Sequence, residues 1–220
     1  MSGEAARRSP KSVLDSIARI GVVPVVTLSD PDDAVPLVDA LCGGGLPVVE
    51  ITLRTTAGLD AIARVARGKG DAIVGAGSVR NVDEATSAID SGAEFLVSPG
   101  LDEDIVRCAA DHGVAAVPGI ATATELLRAR ARGVEVVKLF PAEAAGGAAT
   151  VAALAAVFPD MRFMPTGGIT HANAPEYLRL AQVIAIGGSW MVPEVAIDGH
   201  DWASVKSAAR TAVDLVEAIR

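Results

Sequence analysis

A (β/α)8 barrel is the fold class that this 220-residue sequence predicts, and three observations lead to it. Eight short β-branched segments alternate with Ala-rich amphipathic stretches, the pattern of parallel strands joined by crossover helices. Their starts lie roughly 20 to 28 residues apart, and eight such units fit the length range of a barrel. No glycine-rich phosphate loop follows the first segment, although such a loop is typical of the alternative, an open doubly wound sheet. The predicted strands are Val22–Leu28, Pro47–Leu53, Ala72–Gly75, Glu94–Val97, Val114–Val117, Val134–Phe140, Arg162–Thr166 and Val183–Ile186.

The helices between these strands have recognisable beginnings. Asp30 precedes Pro31, Asn81 stands before another helical stretch, and Thr122 with Glu125 has the spacing of a capping box. An extra helix is expected over Lys11–Ile20, before the first strand. No linker, charge block or low-complexity segment divides the chain, so residues 1–220 are expected to form one domain. Residues 1–10 are expected to be a flexible lead-in, since they lack the apolar core of a signal peptide.

Composition excludes several classes of protein. Half of the residues are hydrophobic and mean hydropathy is +0.40, yet 41 residues are Ala and the longest uncharged run, 144–159, has 16 residues. A membrane-spanning helix needs roughly 20 apolar residues, so no membrane partner is expected. The formal net charge is −8, and Arg128, Arg130 and Arg132 alternate as a solvated helix face. Nucleic acid is therefore not an expected partner.

Cysteine and histidine positions argue against a metal or redox centre. Cys42 and Cys108 are 66 positions apart and match no metal-ligand or redox spacing. His112, His171 and His200 show no HxH or HExxH spacing. The sequence therefore predicts no metal site and a cytoplasmic, reducing location.

Lys138 is the first residue that a purely structural strand does not explain. Val136, Lys138 and Phe140 share one face of the sixth strand. A buried amine without a partner is costly as an ammonium, so burial favours the free base, the form that attacks carbonyls to make a Schiff base. The alternative is a lysine that reaches solvent at the strand end.

The second strand carries a matching polar face. Glu50, Thr52 and Arg54 alternate with an apolar set, so they point into the barrel if that apolar set packs beneath the helices. Glu50 is suited to general acid–base work and Arg54 to holding a carboxylate with two hydrogen bonds. The alternative is a structural Glu50–Arg54 ion pair.

Glycine turns follow the last two strands. Loops at these positions form the common phosphate site of barrels, through backbone N–H groups. The turns are Thr166-Gly167-Gly168 and Gly187-Gly188-Ser189. Gly75-Ala76-Gly77-Ser78 adds a hydroxyl at the same rim, and Pro99 adds a rigid wall.

Seven motifs carry a family resemblance, and they run in order along the chain. They are Val49–Thr55, Gly75–Ser78, Ser98–Gly100, Val117–Ile120, Val137–Glu143, Pro165–Ile169 and Gly187–Trp190. In this combination they strongly resemble the 2-keto-3-deoxy-6-phosphogluconate aldolases, a family that also includes 4-hydroxy-2-oxoglutarate aldolases. The resemblance implies a class I aldolase on a (β/α)8 barrel, without metal or cofactor and typically a homotrimer. It also implies that a phosphorylated 2-keto-3-deoxy sugar acid is cleaved to pyruvate and glyceraldehyde 3-phosphate.

The same resemblance implies roles for individual residues. Lys138 would be the Schiff-base lysine, and Glu50 the general acid/base, working partly through a water molecule. Arg54, Ser78 and Thr166 would bind the pyruvate half of the substrate.

The remaining implied contacts complete the pocket. Pro99 and Phe140 would shape its walls, and the distal phosphate would lie against Gly167, Gly168, Gly188 and Ser189. The sequence departs from the family pattern at Ser78, where Thr is more frequent, and at Ala144-Ala145, where many members carry a polar residue.

Rival functions use the same residues differently. Cleavage of 4-hydroxy-2-oxoglutarate or of 2-keto-3-deoxy-6-phosphogalactonate keeps the chemistry and changes the substrate. A phosphosugar isomerase or epimerase would use Glu50 as base and Lys138 only for its charge. A non-enzymatic binding barrel would leave the buried Lys138 and Glu50 unexplained.

Overall fold

The computed structural model describes residues 8–68 and 70–220 as an alternation of strands and helices. The parallel strands are β1 (Val22–Val26), β2 (Val48–Thr52), β3 (Ile73–Gly77), β4 (Phe95–Val97), β5 (Ala115–Val117), β6 (Gly119–Ile120), β7 (Val136–Leu139), β8 (Arg162–Phe163) and β9 (Ile186–Gly188). The α-helices are α1 (Pro10–Ile20), α2 (Ala34–Gly43), α3 (Gly58–Gly68), α4 (Val82–Asp90), α5 (Glu103–Asp111), α6 (Ala123–Ala131), α7 (Gly147–Val157), α8 (Ala174–Leu178), α9 (Glu194–Asp198) and α10 (Trp202–Ile219).

The strands form a curled parallel arrangement in two sheets. One sheet has the order β5-β4-β3-β2-β1-β9 and the other β6-β7-β8. β5 and β6 are consecutive pieces of chain separated by Pro118, which has no N–H to contribute to a ladder. At the opposite edges, isolated parallel bridges join Phe163 to Val183 and Thr166 to Gly187. The fold is therefore α/β, with every sheet pairing parallel.

Two apolar cores lie on opposite sides of the strands. The larger core contains Val49, Ile51 and the helix residues that cover the sheets. The smaller core contains Val48 of β2 together with Ile17 of α1. Val136 of β7 also belongs to this smaller core, which we call the inner core because it lies between the strands. Through Ile17, α1 covers the amino-terminal end of the strands and leaves their carboxyl ends open.

The predicted helix beginnings match the structure. The Asn81 side chain accepts a hydrogen bond from the backbone N–H of Glu84 at the start of α4. Thr122 and Glu125 form both halves of a capping box at α6. Asp30 also caps, but the turn it begins is a short 3₁₀ helix (Pro31–Asp33) that leads into α2.

The last strand is displaced from its predicted position. The Val183–Ile186 segment contributes one bridge at Val183, whereas β9 covers Ile186–Gly188. The reason is the pairing with β1, which begins at Val22 opposite Ile186 and continues through Gly188. The hydrophobic run therefore predicted the strand's existence but placed it about three residues too early.

The predicted lead-in divides into two parts. Residues 1–7 lie outside the described residues. Arg8 donates two hydrogen bonds to the buried Glu94 carboxylate and one to the Asp71 carbonyl. Ser9 caps α1, and Pro10 is its first residue. Among the described helices, none combines the length and the apolar character needed to cross a bilayer.

Candidate active site

A buried amine and a buried carboxylate meet between β7 and β2. Lys138 is 5% exposed and Glu50 is 1% exposed. The Lys138 Nζ donates to the Glu50 Oε1 at 3.5 Å, although the two residues are 88 positions apart. The inward direction of both side chains, predicted from strand alternation, is confirmed. A buried charge is tolerated when it has such a partner.

Glu50 retains hydrogen-bonding capacity after this contact. Its Oε2 is buried and has no hydrogen-bond partner within residues 8–68 and 70–220. A Cβ at Gly77 would lie 2.2 Å from Glu50 Oε1. The backbone of β3 therefore lies so close to the carboxylate that only glycine fits at this position. A buried carboxylate oxygen with a free lone pair is able to accept a proton or a hydrogen bond from a ligand.

Arg54 and Ser78 form a second polar pair beside the first. Arg54 Nε donates to Ser78 Oγ at 3.2 Å. The expected alternative, an ion pair between Glu50 and Arg54, is wrong, since Glu50 instead pairs with Lys138. Glu50 lies within β2 and contacts Lys138 of β7, whereas Arg54 lies beyond the end of β2.

Ser78 has a left-handed backbone, with φ of 57°. This conformation is unfavourable for residues with a Cβ and worst for β-branched residues. Serine at this position keeps the hydroxyl that accepts from Arg54 and avoids the additional methyl group of threonine. The departure of Ser78 from the family pattern is therefore compatible with the local backbone.

Two adjacent cavities open at the carboxyl ends of the strands. The smaller has a volume of about 230 Å³, and its walls include Lys138, Ser78 and Pro99. The larger, about 610 Å³, is lined by the glycine turns after β8 and at the end of β9. Arg54 and Phe140 line both cavities. A single ligand is therefore able to place one end in the smaller cavity and its other end in the larger cavity.

The glycine turn after β8 has a backbone that requires glycine. Gly167 and Gly168 have φ values of 100° and 79°. A Cβ on Gly167 would lie 3.1 Å from Pro141 Cα, so the turn lies directly against the segment that follows β7. This exposed backbone and the neighbouring Ser189 give the larger cavity N–H and hydroxyl donors suited to an anion.

The structure brings together every predicted site residue. Ten of them line one or both cavities, and Glu50 lies against Lys138 at their floor. The lining residues are Arg54, Ser78, Pro99, Lys138, Phe140, Thr166, Gly167, Gly168, Gly188 and Ser189.

Five further polar residues in or beside the cavities were not predicted as site residues: Thr27, Ser29, Thr52, Arg80 and Glu194. Thr27 lines the larger cavity, and its Oγ1 lies 2.7 Å from the Oγ1 of the buried Thr52. Arg80 lines the smaller cavity and is held by Glu84. Thr52 shares strand parity with Glu50, and Thr27 follows the first strand, so both signals were present in the sequence.

Metal ligation has no candidate in this site. Within residues 8–68 and 70–220, no group of three or more His, Cys, Asp or Glu side chains is arranged to hold an ion. Both cysteines are free thiols.

Comparison with known proteins gives consistent matches. The family model "Aldolase: KDPG and KHG aldolase" matches residues 13–208. A 2-dehydro-3-deoxy-phosphogluconate aldolase of Treponema pallidum is 43% identical over 205 residues, covering 93% of this chain and 98% of the relative. The chain is also similar to a 2-keto-3-deoxy-6-phosphogluconate aldolase of Zymomonas mobilis solved with 3-phosphoglycerate, at 40% identity and a TM-score of 0.85, over 90% of this chain and 94% of that one.

A second solved structure is informative about chemistry. It is a KDPG aldolase from Legionella pneumophila with pyruvate captured at low pH as a covalent carbinolamine intermediate. The similarity has a TM-score of 0.88 and 35% identity, and it covers 94% of this chain and 99% of that one.

Proposed function

The chain belongs to the KDPG and KHG aldolase family, and from that premise we propose that it is a class I aldolase that cleaves 2-keto-3-deoxy-6-phosphogluconate to pyruvate and glyceraldehyde 3-phosphate. Its reaction class is that of a carbon–carbon lyase. The observation that carries the proposal is the Lys138 Nζ, buried and 3.5 Å from the Glu50 carboxylate beside the two adjacent cavities.

Lys138 forms the covalent intermediate in this proposal. Its uncharged Nζ adds to the C2 carbonyl of the substrate, and the resulting carbinolamine loses water to give an iminium. The C4 hydroxyl then gives up its proton, the C3–C4 bond breaks, and its electron pair moves into the iminium to form an enamine. The iminium is itself the electron sink, so the proposed step needs no cofactor. The carbinolamine in the Legionella pneumophila neighbour supports this assignment.

Glu50 moves the protons in the proposed cycle. Its carboxylate accepts the proton that the Lys138 Nζ gives up before attack, and donates it to the carbinolamine hydroxyl as water leaves. The carboxylate then accepts the proton of the C4 hydroxyl as the C3–C4 bond breaks, either directly or through a water molecule. The protonated carboxyl then returns a proton to C3 of the enamine, and water hydrolyses the new iminium to release pyruvate. The buried Oε2, without a partner among the described residues, supports this role.

Substrate orientation follows from the two cavities. Arg54 holds the substrate carboxylate in the smaller cavity, with Ser78 and Thr166 as hydroxyl partners. Pro99 and Phe140 form its walls. The distal phosphate lies in the larger cavity against the glycine turns, at Gly167, Gly168, Gly188 and Ser189.

Borohydride reduction in the presence of pyruvate tests the covalent step. We expect a pyruvate-derived adduct on Lys138 by peptide mass spectrometry, and no adduct on the exposed Lys11. Lys138→Arg keeps a positive charge beside Glu50 and serves as the matched control. An unmodified Lys138 in the wild-type protein would overturn the proposal. Full activity of Lys138→Arg would instead favour an isomerase or epimerase.

Substrate choice within the family is tested by steady-state kinetics. The family includes enzymes that act on 4-hydroxy-2-oxoglutarate, and the proposed phosphate contacts are mostly backbone groups. We expect kcat/KM to be highest for 2-keto-3-deoxy-6-phosphogluconate. A higher value for 4-hydroxy-2-oxoglutarate or 2-keto-3-deoxy-6-phosphogalactonate would reassign the substrate and leave the chemistry unchanged.

We infer further that residues 1–220 form one domain whose two sheets make a single closed (β/α)8 barrel. The interruption at Pro118 and the bridges at Val183 and Thr166 support this closure. We also propose a cytoplasmic homotrimer. The two free thiols support a reducing compartment, and the exposed apolar face of α7 supports association between copies of the chain.

A further inference from the structure

Glu143 lies outside the proposed reacting groups and is tied to the glycine turn. The turn after β8 and the segment after β7 are joined by backbone hydrogen bonds. Ala142 N–H donates to the Thr166 carbonyl at 2.8 Å, and Glu143 N–H donates to the Gly167 carbonyl at 3.1 Å. The chain that leads away from Lys138 therefore supports the turn proposed to bind phosphate.

The side chain of Glu143 also packs on this turn. A Cβ at Gly168 would lie 2.6 Å from Glu143 Cγ and 2.7 Å from its Cβ. Asn173 holds the opposite side, where its Nδ2 donates to the Gly168 carbonyl at 3.1 Å. The turn is thus clamped between two side chains, and a displacement of Glu143 is transmitted directly to Gly168.

Tyr177 fixes Glu143 in turn. Its side chain is fully buried in α8, and its hydroxyl donates a hydrogen bond to Glu143 Oε1. Burial and the Glu143 carboxylate raise the pKa of Tyr177 above its ordinary value, so the phenol stays protonated and remains a donor at neutral pH. Charge-assisted hydrogen bonds of this kind are among the stronger ones in proteins.

We propose that Glu143, held by Tyr177, is a positioning residue that sets the glycine turn at the distance from Lys138 that a phosphorylated substrate needs. The inference rests on the proposed aldolase function and deepens it. Glu143 does not touch the reacting atoms, so its effect is confined to the phosphate end. The pyruvate end is held chiefly by Arg54 and Ser78, which follow β2 and β3, so we expect it to change little.

Two variants remove the contact with minimal change. Tyr177→Phe deletes one hydroxyl and keeps the buried ring, and Glu143→Ala deletes the carboxylate. Glu176→Gln, an exposed glutamate on the same helix, is the matched control. Each protein is assayed with 2-keto-3-deoxy-6-phosphogluconate and with its unphosphorylated counterpart, and each is tested for inhibition by inorganic phosphate.

The expected result is selective for phosphate. In both variants KM for the phosphorylated substrate and the inhibition constant of phosphate rise about tenfold, because small misplacements of a binding group are costly. The kinetics of the unphosphorylated substrate change less than about twofold, and pyruvate trapping on Lys138 is unchanged. Glu143→Gln, whose amide oxygen still accepts from Tyr177, retains most of the affinity.

Other outcomes distinguish failure of the positioning role of Glu143 from failure of the proposed aldolase function. Equal losses with both substrates, or unchanged phosphate inhibition in a folded Tyr177→Phe protein, would overturn the positioning role. Thermal unfolding and circular dichroism establish that the variants are folded, and if Glu143→Ala does not fold, Tyr177→Phe decides. Absence of pyruvate trapping in the wild-type protein would reject the aldolase function itself.

Discussion

Glu50 is the residue whose removal separates proton transfer from covalent attachment. Glu50→Gln keeps the volume of the side chain and removes its ability to accept a proton. We expect kcat to fall about 10²–10⁴-fold, the usual contribution of a positioned acid–base group. Exchange of the pyruvate methyl protons with deuterated solvent, followed by NMR, measures the step directly. Glu135→Gln, at a mostly exposed glutamate paired with Arg162, is the control, and exchange at the wild-type rate in Glu50→Gln would contradict the role.

Ser78 combines a left-handed backbone with a proposed role in ligand binding. Ser78→Gly relieves the left-handed conformation, so we expect the free energy of unfolding to rise by about 1 kcal/mol. The same change removes the hydroxyl that accepts from Arg54, so KM for pyruvate in the exchange assay should rise about fivefold, the equivalent of one hydrogen bond. Ser78→Ala should raise KM without the gain in stability. Urea unfolding and the exchange assay test both effects, and an unchanged KM in both variants would show that the hydroxyl is not used.

Strand parity predicted that Lys138 and Glu50 point inward, and it did not predict that they contact each other. Alternation alone placed Lys138 and Glu50 on the inner face, because each lies between apolar residues of opposite parity. Parity contains no information about partners on other strands, so the sequence left a Glu50–Arg54 ion pair open as the alternative, and the observed partner of Glu50 is Lys138. The contact between Glu143 and Tyr177 depends on packing between a loop and a helix, for which local sequence patterns give no signal.

At the scale of elements, the two ends of the strands differ: one is packed with apolar side chains and the other carries the polar site. The amino-terminal end is filled by α1, whose Ile17 is fully buried in the inner core with Val48. The next inward layer of β2 is Glu50, and the cavities lie beyond it. Apolar packing at one end of the strands therefore gives a rigid base for the polar site at the other end. Side chains carried by such packed strands are held more precisely than side chains on loops.

Strand existence was predictable, and strand ends were not. Hydrophobic runs marked all eight predicted segments, but most of the observed strands are shorter than the runs; β8, for example, covers Arg162–Phe163 only. The chain near Pro118 changes its pairing partner, with β5 on β4 and β6 on β7. Such a change is determined by the curvature of the whole sheet, which no local window of sequence contains.

Helices α5 and α6 are clamped by one carboxylate, and the clamp predicts a pH dependence. Arg128 Nε and Arg132 Nε donate to opposite oxygens of Glu103, at 3.0 and 2.7 Å. These hydrogen bonds, that from Arg128 first, lower the pKa of Glu103 below its ordinary value. A depressed pKa means that the ionised carboxylate stabilises the folded state, fully so above the ordinary glutamate pKa of about 4.3.

This stabilisation is lost as pH falls through the lowered pKa of Glu103. We therefore expect Glu103→Gln to be less stable than the wild-type protein at neutral pH, with the difference shrinking below about pH 4.3. Urea unfolding of both proteins across this range measures it. Glu176→Gln, on the exposed face of α8, is the control. A difference that is independent of pH would show that the clamp depends on shape and not on charge.

Across the whole molecule, the Ala-rich composition has two consequences. Small side chains let the helices approach the strands closely, and Ala61, Ala85 and Ala109 are all fully buried. In α7 the same composition leaves an apolar surface. Val151 and Ala155 face the core, whereas much of the remaining surface of the helix is exposed alanine and valine without a charged residue. A net charge of −8 adds a general repulsion between copies of the chain but does not cover this face.

The exposed face of α7 predicts how copies of the chain associate. Val157 is 70% exposed at its end, and Ala152, Ala153 and Ala156 are exposed beside it. If this face is buried in the proposed homotrimer, Val157→Glu should place a charge in an apolar contact and lower the solution mass from three times the 22.3 kDa chain to that of one chain. Light scattering after size-exclusion chromatography measures this mass. Thr211→Glu, on the exposed surface of α10, adds the same charge elsewhere and should remain trimeric. A Val157→Glu protein of unchanged trimeric mass would move the interface to another face, and a monomeric wild-type protein would reject the trimer.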